Sequence, residues 1–423
     1  MSRAIGMSDK KRRFHNGECS RFMKAMNRSL SLAVVLAATT HGRLDATPQY
    51  RVIGLGPANV PSSARAINNL GYVAGQMGRG AFTWNVHHLV RYKPDQFLYL
   101  GDGYTNIAVS INRDGVAVGR NGNYGPVVMS GLAITTATIY RNGAMTYLDK
   151  AKNATFVATG INDAGTIVGE DAYRGFLREP NGRTFEIHPL STRPEYNGSF
   201  ASAIDNEGRV VGGTTIDVGP VGKVQCGEQR AGINGSPTPI YCPDTNAYLI
   251  HAFLATFDGG TQHMRDLGAL PGYPDTFATA IAEDGTVVGY SGMQSGPKWT
   301  EVRGPSRAWI WYRGRMSALG TLHVGDSTAA FGVNDRGIVV GCSSSAAYPW
   351  FRNNLAPPFE RIINLTAIRW VQKRAVDLNT LIPAGSGWWL LCARAVNRSG
   401  WIVGDGMYRG VHRAFVLIPR HRL

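Results

Sequence analysis

The stretch GVNDRGIVVG (332–341) decides the reading of this chain, because the sequence repeats it. AINNLGYVAG (66–75), SINRDGVAVG (110–119), GINDAGTIVG (160–169), AIDNEGRVVG (203–212), AIAEDGTVVG (280–289) and AVNRSGWIVG (395–404) align with it without a gap. The first slot is always small: Ala66, Ser110, Gly160, Ala203, Ala280, Gly332 and Ala395. A strand crowded against an axis requires that. The second slot is always Ile or Val, a strand residue with a buried side chain. The third is Asn in five copies, Asp205 in one and Ala282 in one, and Asn or Asp suits the opening of a type I turn. Three positions later comes Gly71, Gly115, Gly165, Gly208, Gly285, Gly337 or Gly400. A glycine there can take the left-handed conformation that closes a hairpin. A second glycine four positions further on points to close backbone packing.

A second hairpin follows each copy at a variable distance, most clearly in RAWIWYRGRMSALG (307–320). The unit is therefore four strands, A to D, and unit lengths near those of propeller blades, with insertions in the longer copies, predict an all-β, seven-bladed β-propeller. The last copy ends at strand C, HRAFVLIP (412–419), while YRVIGLG (50–56) has the pattern of a strand D. An N-terminal strand that completes the last blade would join the ends and remove exposed sheet edges.

The chain has 423 residues, 44 Lys/Arg and 29 Asp/Glu, a formal charge of +15. Residues 1–46 carry nine basic and three acidic residues, so the body keeps a surplus of +9. A basic body favours anionic partners, but no cluster of basic residues interleaved with aromatics marks a nucleic-acid surface. The apolar run LSLAVVLAA (30–38) follows Lys24 and Arg28 and is too short to span a bilayer. It suits the core of a signal peptide, with synthesis starting at Met23 or Met26. The expectation is a leader over 1–46 and one secreted or periplasmic propeller domain over 47–423, with insertions at 213–251 and 342–366. No other segment is long enough to cross a membrane.

The repeats, His-Ala-Phe at 251–253 and the closing DLNTLIPAGSGWWLLCARAVNRSGWIVG (377–404) together resemble the HAF-type extracellular repeat family. The resemblance covers about residues 50–418 and implies export and repeats. It names no reaction. Two departures stand out: Ala282 replaces the turn Asn, and Arg307 rather than His precedes Ala308.

No HExxH, Walker A loop, GxSxG elbow or CxxC pair is present. No cofactor or metal is expected: the NRDG and NDRG turns lack the alternating oxygen ligands of a calcium loop, and the adjacent His87 and His88 would point to opposite faces of a strand. Cys342 and Cys392 read as small buried residues. Cys226 and Cys242 share one insertion, and export makes a disulfide between them the expectation. With no catalytic signature, the chain reads as a monomeric binding module for a glycan or protein ligand. The alternatives are a polysaccharide lyase or hydrolase and a structural surface-repeat protein. The long B–C insertions fall in blades 4 to 6, all on the face opposite the A–B turns. Long loops on a rigid scaffold carry function, and these supply Tyr241, Tyr290, Trp299, Arg303, Tyr348, Trp350 and Phe351 as candidate ligand contacts.

Overall fold

The computed structural model describes residues 49–86, 105–122, 135–149, 156–172, 174–193, 198–218, 223–230, 237–243, 248–294, 301–345, 350–351 and 365–420. They are chiefly strands and turns, and include a short 3-10 helix at Leu378–Leu381. Strands A and B of the seven blades are Ser62–Ile67 and Tyr72–Met77, Thr105–Ile111 and Ala117–Gly122, Phe156–Ile161 and Ile167–Asp171, Ser199–Ile204 and Val210–Asp217, Asp275–Ile281 and Val287–Gln294, Ser327–Val333 and Val339–Ser344, and Trp388–Val396 and Ile402–Tyr408. Each sheet runs A-B-C-D in antiparallel order. In blade 1 strand C is Gly80–Asn85, and the place of strand D lies outside the described residues. The protein is a seven-bladed β-propeller, as the repeat predicts.

Closure is by the N-terminal strand. Tyr50–Leu55 pairs antiparallel with Val411–Pro419, in register from Tyr50 opposite Pro419 to Leu55 opposite Ala414. Tyr50 and Leu55 are fully buried by this pairing. Arg369 of blade 6 donates to the Tyr50 hydroxyl at 2.8 Å, which ties the closing strand to the neighbouring blade.

The repeat slots now have structural causes. All seven turn glycines have positive φ, from +72° at Gly337 to +85° at Gly165. The second glycine answers a bulge in strand A, where the register shifts in every blade, as between Ala330 and Gly332 in blade 6. A Cβ at Gly341 would run into the Ala329 carbonyl of that bulge. The small first slot is where strands A of adjacent blades meet: a Cβ on Gly160 would sit 3.2 Å from the Ala203 Cα. Core clusters bridge neighbouring blades, as where Phe200, Phe277 and Tyr290 stack in succession.

Two expectations need correction. The insertions are shorter than 213–251 and 342–366, because strands B and C of blade 4 continue in register from Thr214 opposite His251 to Asp217 opposite Tyr248. In blade 6, likewise, Cys342 to Ser344 pair with Ala367 to Leu365. Cys342 and Cys392 are buried, as expected, but they are also bonded to each other, joining strand B of blade 6 to strand A of blade 7.

Candidate functional site

Three regions of the propeller bear on function: the A–B turns at one face, a buried charge cluster where blades 7 and 1 meet, and the insertions at the other face.

At the first face the turns surround a cavity of about 290 Å3. The repeat Asn does two jobs there. The Asn112 side-chain oxygen accepts from the Asp114 and Val116 amides within its own turn. Its amide nitrogen donates across to the Asn162 carbonyl of the next blade. The same cross-blade bond runs from Asn68 to Asn112, Asn162 to Asp205, Asn334 to Asn397 and Asn397 to Asn68. Asp205 has no amide to donate. Arg209 replaces it, pairing with the Asp205 carboxylate and donating from Nη2 to the Glu283 carbonyl at 2.7 Å. Ala282 can make neither bond.

The following slot forms an outer ring. Asp163, Asn206, Glu283, Asp335 and Asn69 each accept the backbone N–H of the same slot in the preceding blade. The other two residues of the slot are Arg113 and Arg398, which have no acceptor atom. Arg398 instead reaches the Asp335 carboxylate at 3.5 Å. The carboxylates at this mouth are thus occupied by backbone. Glu283 is pushed up by burial and by Asp205, Asp335 and Asp163, against the pull of the Asn206 amide.

Where blades 7 and 1 meet, strand A presents Arg65 in blade 1 and Arg394 in blade 7, the same slot in adjacent blades; both are buried. Asp405 of blade 7 accepts from Arg394 Nε and the Ser63 hydroxyl, both at 3.2 Å, and lies 3.2 Å from His412 Nε2. Burial alone would raise the Asp405 carboxyl, but Arg394, His412 and Arg65 outweigh it and hold the group well below the usual carboxylate range. Burial lowers Arg65 to about 9, with Arg394 and Arg120 acting the same way and Asp405 opposing them. In blades 4 to 6, by contrast, Phe200, Phe277, Tyr290 and Phe331 belong to one buried apolar cluster. His251, opposite Thr214, shares its repeat slot with Arg413, opposite Gly406, and not with His412; its ring lies 2.9 Å from Asp266 of the outer strand.

At the second face, strand C of blade 5 is extended, running from Glu301 to Tyr312. Its N-terminal half pairs inward, with Arg303 opposite Met293 of strand B. It also pairs outward, with Val302 opposite Trp350 and Glu301 opposite Phe351 from the blade 6 insertion. The insertions of two blades thus join in one sheet, bringing Arg303, Trp350 and Phe351 together in the backbone. Tyr241 lies in an insertion hairpin of blade 4, where Lys223–Arg230 pairs with Pro237–Pro243. Tyr290 is a correction. It belongs to strand B rather than a loop, and at 2 % exposure it packs between Phe277 and Phe331. A ligand cannot reach it. Trp299 and Tyr348 lie outside the described residues, as do His87 and His88. The backbone of the blade 4 hairpin sets Cys242 opposite Val224, with Cys226 at a register shift. The expected bond between these cysteines falls on side chains outside the described set.

Among the described residues no three His, Cys, Asp or Glu side chains form a metal-binding group, and no helix is long and apolar enough to cross a membrane. No protein-family model matches the chain, and no curated protein matches it. Among solved structures, a Porphyromonas gingivalis dipeptidyl peptidase 4 is similar at a TM-score of 0.36 and 9% identity, over 83% of this chain and 59% of that one. A Pyrococcus horikoshii acylaminoacyl peptidase is similar at 0.27 and 8% identity, over 72% of this chain and 51% of that one. An acylaminoacyl peptidase in complex with Z-Gly-Gly-Phe-chloromethyl ketone gives 0.29 and 8%, with the same coverage. This chain spans between half and three-fifths of their lengths, and likenesses this remote carry no argument about activity.

Proposed function

We propose that this chain is an exported binding module, related to the HAF-type repeat proteins, that holds an acidic extracellular glycan on the face opposite the A–B turns. The observation that supports this reading is the joining of the blade 5 and blade 6 insertions into one sheet through Glu301–Val302 and Trp350–Phe351. Two loops that pair with each other make a platform rather than two independent tethers. The strand of Arg303 pairs beside that of Trp350, and a cationic residue together with aromatic ones is the chemistry suited to acidic groups and sugar rings. The surplus of +9 over residues 47–423 favours anionic partners over neutral ones. The disulfide between Cys342 and Cys392 agrees with an oxidising destination.

The test is a binding screen of the exported protein against acidic and neutral polysaccharides, with chain length of each polysaccharide followed in parallel. Saturable binding of acidic chains without shortening supports the reading, and Arg303→Ala with Trp350→Ala should weaken it at least tenfold while the melting temperature holds. Shortening of a chain would make the protein an enzyme instead. Binding that survives the double substitution but is lost on altering the A–B turns would move the site to the other face.

A further inference from the structure

A cavity of about 460 Å3 lies between the closing strand, the end of strand B of blade 7 and the connection leading from blade 6 into blade 7. It is lined by Arg413, Trp388, Tyr408 and Gly54, with Arg51 and Arg420 exposed at its rim. Among the described residues its lining holds three arginines and no carboxylate.

Arg413 is the unusual member. It is 7 % exposed, and among the described residues no Asp or Glu pairs with it. Its Nη2 donates to the Gly56 carbonyl, and its guanidinium lies 5.5 Å from the centre of the Tyr408 ring. Among the described residues its buried Nε–H has no acceptor. A buried charged donor left unsatisfied is costly, and native sites of this kind commonly have a partner that completes them. Elsewhere in blade 7 the pattern is opposite: buried Arg394 has Asp405.

The walls are shaped for a ring. The half-buried Trp388 and Tyr408 lie with ring centres 5.0 Å apart and planes at 38°. Gly54 opens the space, since a Cβ there would stand 3.0 Å from both the Arg413 Cζ and the Trp388 ring. A cavity with apolar aromatic surface and few polar anchors is the ordinary form of a small-ligand site. The planar guanidinium matches a carboxylate.

We infer that this pocket is a subsite for a uronic acid residue of a polysaccharide, with Arg413 holding the sugar carboxylate and Trp388 and Tyr408 bordering its ring. The inference rests on the reading of the chain as a binder of acidic saccharides, but not on the platform of blades 5 and 6.

The experiment measures, by calorimetry on the full chain, the binding of a galacturonic acid trisaccharide and of its neutral galactose counterpart. The acidic trisaccharide should bind and the neutral one should not. Arg413→Ala should weaken binding at least tenfold and Arg413→Lys should restore part of it. If Arg413→Ala fails to fold, Gly54→Ala, which fills the cradle without removing charge, should weaken binding severalfold, and so should Arg51→Ala with Arg420→Ala at the exposed rim. Equal binding of both trisaccharides, or binding untouched by all of these variants, overturns the inference. Loss only on Arg303→Ala with Trp350→Ala also overturns it, while leaving the proposed function standing. If the protein binds other acidic chains but not this trisaccharide, the subsite is wrong and the wider reading survives. Failure to bind any acidic saccharide defeats both.

Discussion

The ring of A–B turns and blade 7 both close the propeller, by opposite means. The ring spreads closure over many small ties of one kind, each an Asn amide reaching the next blade's carbonyl. Blade 7 concentrates closure in a few large interactions: the N-terminal strand, a buried charge cluster around Asp405 and a disulfide to blade 6. A distributed device tolerates the loss of a member, and Ala282 shows that loss already accepted. A concentrated one does not. Damage to blade 7 should therefore cost far more than damage to any single turn.

The largest effect should come from deleting residues 47–57. That removes a full ladder of pairing and exposes Phe415 and Leu417, which are now fully buried. Tyr50 and Leu55 alone contribute about 1.5–3 kcal/mol each by burial, and the strand-C edge left open invites aggregation. Calorimetry should show no cooperative melt near the parent's. An unchanged transition would mean that blade 7 closes by other means.

Next in size is Asp405→Asn. Removing one partner from a buried ionic cluster strands the others and costs about 3–5 kcal/mol. The pH dependence has a fixed sign. The Asp405 carboxyl is held below its ordinary value in the folded protein, so its contribution is complete above the unfolded range near about pH 4. It is lost as pH falls from there toward the lower folded value. Chemical denaturation of parent and variant should therefore differ most at neutral pH and converge in acid. A constant difference down the acid limb would show that Asp405 acts by packing alone.

Reduction, or Cys342→Ser with Cys392→Ser, should cost about 2–4 kcal/mol, because the bond closes a long loop in the unfolded chain. The sequence separation is 50 residues. Melting with and without reductant checks this, and the double serine variant should be insensitive to reductant. In the ring, by contrast, Asn334→Asp keeps the turn acceptor but replaces the donor to the Asn397 carbonyl by a carboxylate oxygen. It should cost about 1–2 kcal/mol, and equilibrium unfolding should place it well below either blade 7 lesion.

The sequence made the ring's positions visible and its chemistry only half so. Glycine, small residue and Asn recur because every blade meets the same axis, and a periodic constraint leaves a periodic trace. The Asn acceptor was readable as turn chemistry. Its amide bond to the next blade was not, because that partner lies a blade away. Blade 7 was legible only at its ends. Arg65 in ARAI (64–67) and Arg394 in ARAV (393–396) share a slot in blades that touch only once the ring is closed, so their clustering is a long-range fact. The same holds for Cys342 with Cys392 and for Arg413 with Gly54, where contact depends on a strand from the other end of the chain. Tyr290 was misread because distance from the repeat glycine does not say where strand B ends. Its register opposite Phe277 puts it inside the core.

The smallest expected effect is a gain, and it tests the ring most directly. The turn at Ala282 has the same backbone as the others: Ala282 donates to the Thr286 carbonyl, and Gly285 donates to that of Ala282, both at 2.9 Å. Only the side chain is missing, and Asp284 already accepts from the Thr286 amide in its place. Ala282→Asn should supply both a turn acceptor and a donor to the Asn334 carbonyl. The net gain should be about 0.5–1.5 kcal/mol, the worth of one added hydrogen bond after water is displaced. Ala282→Asp, which can accept but not donate, should gain less or lose stability. Thermal melts of the two variants beside the parent separate the contributions. If Asn and Asp behave alike, the cross-blade bond contributes nothing measurable, and the repeat Asn is explained by its own turn alone.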